Sequence, residues 1–80
     1  MEKFEVGGVY RDDDDGVEIE VLKRTEKEIS YRFTSPCYLE IDTKRIFRRR
    51  IKNYHKVSEC VFLDDYWSLP CIYADRRVNS

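Results

Sequence analysis

VEIEVLKRTEKEISYRF, residues 17–33, alternates apolar and polar side chains in two successive runs. Val17, Ile19 and Val21 fall on one side of the first run, with Glu18 and Glu20 on the other. In the second run Ile29, Tyr31 and Phe33 oppose Ser30 and Arg32. A period of two carried by β-branched and aromatic residues marks a half-buried strand. The polar TEKE between the runs reads as a turn. Residues 17–33 therefore predict a β-hairpin.

Working outward, the pattern repeats in shorter pieces. FEVGGVYR (residues 4–11) reads as a strand bent at Gly7-Gly8. DDDDG (12–16) reads as a loop tip, and TSPC (34–37) as a turn around Pro36. YLEI (38–41) suggests a short strand. VSECVFL (57–63) suggests another, with Val57, Glu59 and Val61 opposite Ser58, Cys60 and Phe62. DDYWSLP (64–70) reads as a turn or short helical loop, CIYAD (71–75) as a short closing strand, and RRVNS (76–80) as a loose tail. Short strands at this spacing predict one all-β, mainly antiparallel domain over residues 1–75. The expected form is a small barrel or rolled sheet with room for one short helical turn. Closure removes the open strand edges that invite aggregation.

Eighty residues bound what the chain can do. A domain of this size has a small core and little depth for a cleft with supporting shells, which argues against an enzyme. With 41% hydrophobic and 14% aromatic residues, however, it can still pack. Its charges are segregated. Residues 1–43 carry twelve acids and six bases, residues 44–56 seven bases and no acid, and residues 57–80 four acids and two bases. Three widely spaced cysteines, no apolar leader and no long apolar run fit a reduced, cytoplasmic protein that does not enter a membrane.

No catalytic, cofactor or metal site is expected. RDDDDG offers acids at two positions of a calcium loop, but Arg11 and Leu22 occupy its first and twelfth. Cys37, His55, Cys60 and Cys71 lack the close pairing of structural zinc ligands. His55 has no recognisable orienting partner for nucleophilic chemistry, and Glu59, Asp64 and Asp65 read as surface charges.

The basic segment TKRIFRRRIKNYH (43–55) holds the candidate contacts Arg48, Arg49, Arg50, Lys52 and Tyr54. Arginine suits phosphate, and interleaved aromatics such as Phe47 and Tyr54 suit bases. As a strand, Phe47, Arg49 and Ile51 share one face, and Ile46, Arg48, Arg50 and Lys52 the other. That arrangement requires Arg49 to sit at a barrel rim. As a helix, Ile46, Phe47, Ile51 and Tyr54 fall within one apolar arc, and periodicity alone leans that way. Glu18 and Glu20 are candidate cross-strand partners for the basic residues.

Phe4, Gly7 and Tyr10, then Val21, Arg24, Thr25 and Lys27, then Arg48, Arg49 and Ile51, then Glu59, then Tyr66, Ser68, Leu69, Ile72 and Ala74 form an ordered set. It resembles small, mostly uncharacterised proteins of phages and mobile elements of Gram-positive bacteria. The resemblance covers nearly the whole domain and implies an SH3-like β-barrel with the basic segment as a strand, which is the reading adopted. It implies no activity. With the charge pattern it suggests a non-enzymatic module that docks on a host protein or nucleoprotein complex in preference to free nucleic acid. One such role is inhibition of a host defence complex, as by an anti-CRISPR protein. The acidic partner surface would be Asp12, Asp13, Asp14, Asp15, Glu18 and Glu20. The alternative is a nucleic-acid-binding accessory protein using residues 44–56.

Overall fold

A computed structural model describes residues 3–13, 16–34, 42–54, 58–62 and 71–79, with Asn53 and Tyr54 described in backbone only. The expected strand at 38–41, the loop at 64–70, Cys37, His55 and Trp67 lie outside the described residues.

The described chain forms seven strands: β1 (Val9–Asp12), β2 (Val17–Arg24), β3 (Glu28–Phe33), β4 (Phe47–Tyr54), β5 (Ser58–Phe62), β6 (Cys71–Tyr73) and β7 (Arg76–Arg77). They make one curled antiparallel sheet in the order β6-β5-β4-β3-β2-β1-β7, a half-barrel consistent with a small β-barrel. No helix occurs among the described residues, so none is present there to cross a membrane. The two outermost strands, β6 and β7, are separated by only Ala74 and Asp75. The chain thus passes directly from one edge of the sheet to the other, and Tyr73 N–H donates to Asp12 Oδ2 across the seam (3.0 Å).

The predicted hairpin is β2–β3, and its inward faces match the alternation. Val17, Ile19, Val21, Ile29, Tyr31 and Phe33 are all buried in the core with Phe4, Tyr10, Phe47, Val61, Ile72 and Ala74. Thr25 Oγ1 accepts from the Lys27 and Glu28 N–H groups and shapes the turn. At the centre, Phe47 stacks on Tyr31 (centroids 5.6 Å apart, planes at 17°) and meets Phe33 edge-on (5.5 Å). The basic segment is a strand, so its 3.6-residue apolar arc was accidental. Pairing with β3 on one side and β5 on the other decides its conformation.

Three expectations are corrected. Residues 76–79 are not a loose tail. Arg76 and Arg77 pair with Arg11 and Tyr10, and Val78 N–H donates to Val9 O. The Asn79 side chain accepts from Val9 N–H (2.8 Å) and donates to Gly7 O (3.0 Å). Asp12 is not on a loop tip but closes β1 with its carboxylate buried at the seam. Glu59 is not a surface charge. Only 8% of its side chain is exposed, and Arg24 grips it in a fork of 2.6 and 2.8 Å. The same pair holds the N-terminal segment: Phe4 N–H donates to Glu59, and Phe4 O accepts from Arg24.

Gly7 takes the bend at φ +85°. Gly8 is needed for a different reason. A Cβ there would lie 2.5 Å from Tyr10 Cε2. That ring is buried edge-on to Phe4, and its hydroxyl accepts from Glu5 N–H, so it has nowhere to retreat. Gly8→Ala should lower stability by about 2 kcal/mol, read as an earlier urea midpoint at unchanged slope.

Candidate nucleic-acid interface

One irregularity in β2 sets up the site. The register runs Val21↔Tyr31 and then Lys23↔Ser30, leaving Leu22 as a bulge. Strict alternation would have sent Lys23 inward and Arg24 outward. The bulge exchanges them. Arg24, now opposite Ile29, faces Glu59, while Lys23 joins Ser30 on the outer face.

Ser30 in turn pairs with Arg48, so Lys23, Ser30 and Arg48 form one row across β2, β3 and β4. Glu28↔Arg50 is the next row, and Lys52↔Cys60↔Tyr73 lies further along, across β4, β5 and β6. Arg48, Arg50 and Lys52 therefore form an exposed column along the outer face of β4. Lys23, Thr25, Ser30 and Arg48 line a groove of about 230 Å³, and Lys27 and Arg50 line a neighbouring one of about 280 Å³. Glu28 borders both and pairs with Arg48 (3.0 Å).

The candidate residues do not all share this face. Arg49 is half-buried on the other side, its guanidinium 5.4 Å from the Phe47 ring centroid and bonded to Arg48 O. This is the inward position that the strand reading required. Phe47 is only 1% exposed, so it anchors β4 in the core and is not a platform for bases. The Tyr54 side chain lies outside the described residues. Two aromatic rings that the sequence reading did not assign to the site stand beside the column instead. Phe62 and Tyr73 are half-buried on the same face of β5 and β6, with Lys52 Nζ 5.9 Å from the Phe62 centroid. Burial first, then the Cys71 and Cys60 side chains, push the Tyr73 phenol above its ordinary range.

The acids expected to form a second surface are engaged within the sheet. Glu18 pairs with Arg11 (3.2 Å), Glu20 with Arg32 (2.8 Å) and Asp13 with Arg76 (2.9 Å), while Asp12 is buried. Asp14 and Asp15 lie outside the described residues. Glu18 and Glu20 therefore neutralise β1 and β3 and not the basic strand. Among the described residues, Arg50 and Lys52 have no ion-pair partner, and no group of histidine, cysteine and acidic side chains is placed to hold a metal ion. Neither the family models, nor the curated proteins, nor the solved structures contain a match to this chain, so the surface stands on its own geometry.

Proposed function

We propose that the chain is a non-enzymatic binding module for nucleic acid, held through its phosphates on the outer face of β4. One observation carries this reading. Arg48, Arg50 and Lys52 form an exposed cationic column with Lys23 and Lys27 beside it, and among the described residues Glu28 is the only acid that the register places in those rows. Docking through an acidic surface has less support, because Asp13, Glu18 and Glu20 already face arginines of the same chain.

Phosphate contacts make affinity fall steeply with salt, by roughly 0.7–0.9 in log–log slope for each contact. Fluorescence anisotropy with labelled oligonucleotides should show such a fall for the parent protein. Arg50→Glu with Lys52→Glu should weaken binding at least about 10-fold and flatten the slope by about 1.5. Both side chains point into solvent, so the fold should persist by circular dichroism. Equal binding by the folded double variant, or no binding by the parent at low salt, would overturn the proposal.

A further inference from the structure

We infer that the row Lys23, Ser30, Arg48 is a seat for a single phosphate group, and that Glu28 holds Arg48 until a phosphate displaces it. This rests on the nucleic-acid reading above and adds where one phosphate is gripped from two sides and what competes for that grip.

The row itself supplies the first argument. Ser30 on β3 lies between Lys23 on β2 and Arg48 on β4. With strands about 4.8 Å apart, the two cations root roughly 9.6 Å from each other across a short side chain. They wall the groove of about 230 Å³, and half-buried Ser30 floors it. Among the described residues, Lys23 and Ser30 make no side-chain hydrogen bond or ion pair. Thr25 also lines the groove, and its Oγ1 accepts from the Lys27 and Glu28 N–H groups, so its hydroxyl proton is left to donate. A guanidinium, an ammonium and two hydroxyls thus converge as donors on one small volume, which suits the several acceptor oxygens of a phosphate. The Leu22 bulge completes the seat, since it turns Lys23 outward.

Glu28 supplies the second argument. It stands one row along on the same face, directly opposite Arg50, yet its carboxylate reaches back to Arg48 at 3.0 Å. An anionic oxygen therefore already sits on the seat's arginine. That contact is easily exchanged, because 72% of the Arg48 side chain and 39% of the Glu28 side chain are exposed, and exposed pairs are weak. A phosphate offers Arg48 two parallel hydrogen bonds and also engages Lys23 and Ser30. Lys27, which lines the neighbouring groove with Glu28, can take the released carboxylate.

The test follows a labelled oligonucleotide by anisotropy over a range of salt. Glu28→Gln should bind about 3- to 5-fold more tightly than the parent. Its log–log slope should steepen by about 0.7, since Arg48 no longer trades one anion for another. Glu5→Gln removes the same charge on the β7 side of the sheet, where Glu5 meets Arg77, and should stay within about 2-fold of the parent. Lys23→Gln should weaken binding about 5-fold and flatten the slope by about 0.7. Ser30→Ala should weaken it about 5-fold at unchanged slope, because it removes a hydrogen bond and no charge. Inorganic phosphate alone, titrated into isotopically labelled parent at low salt, should saturably shift the Ser30 amide and Arg48 Nε–H signals. If Glu28→Gln gains no more than Glu5→Gln, if folded Ser30→Ala binds like the parent, or if phosphate leaves those signals unmoved, the inference is wrong. The phosphate-binding reading, tested at Arg50 and Lys52, survives any of these. If phosphate shifts the signals but the parent binds no oligonucleotide, the seat stands and the nucleic-acid reading fails.

Discussion

Glu59→Ala should destabilise the protein by about 3 kcal/mol, because it leaves Arg24 half-sequestered without its counter-charge. The figure sits at the lower end for broken buried pairs, since 22% of the Arg24 side chain still reaches solvent. The damage should extend beyond the pair. Phe4 is held through Glu59 at its N–H and through Arg24 at its carbonyl, so the N-terminal segment loses both anchors. Arg24→Ala combined with Glu59→Ala should cost less than the two single changes together, because removing both charges removes the uncompensated one. Chemical denaturation of the four proteins measures this. A Glu59→Ala midpoint close to the parent's would show that the pair does not hold the segment.

The pair also sets a pH dependence. Burial pushes the Glu59 carboxyl up, but the Arg24 hydrogen bond, the Phe4 N–H and the Arg24 charge outweigh it and hold the group below the usual carboxylate range. The unfolded chain then binds this proton more readily than the folded one. The resulting stabilisation is complete above the unfolded value of about 4.3. It is lost as pH falls from there through the lower folded value. Thermal midpoints of the parent should drop over that window, and those of Glu59→Ala should drop less.

Phe47→Ala should be the more damaging change, at about 3–5 kcal/mol. Phe47 closes a three-ring cluster with Tyr31 and Phe33, and the Arg45 and Arg49 guanidinium groups lie 4.4 and 5.4 Å from its centroid. Domains of this size have total stabilities of roughly 4–12 kcal/mol, so the variant should be largely unfolded when warmed modestly. Its neighbour makes a sharp control. Ile46 is 63% exposed, and Ile46→Ala should stay within about 0.5 kcal/mol of the parent. Matching midpoints for the two variants would contradict the placement of β4 in the sheet.

The hairpin at 17–33 was legible because one face of each strand is buried, and burial imposes a period of two. The same logic, with the rim position it demanded of Arg49, sorted Arg48, Arg50 and Lys52 from Phe47 and Arg49. The sequence marks the bulge at Leu22 only as a break in alternation, apolar Leu22 following apolar Val21, and a strand that simply ends gives the same signal. Lys23 was missed for that reason. Glu59 was missed because a buried acid is recognisable only by its partner, and Arg24 is 35 residues away. Phe62 and Tyr73 reach the site through pairing of β4, β5 and β6, which strand signals alone do not specify. Residues 76–79 lack any apolar alternation, and their order comes from backbone and side-chain hydrogen bonds to β1 and its approach.

The Asn79 side chain clasps the backbone at Gly7 and Val9, and Arg77 reaches Glu5, so residues 5–9 and 77–79 lie side by side. A domain whose first and last strands are tied together in this way can be spliced into a surface loop of a host protein without prying the host apart. It can equally be circularised by a short Gly/Ser tether and reopened at the Thr25–Lys27 turn. Transplanted either way, the barrel would carry its cationic column with it as a portable cassette.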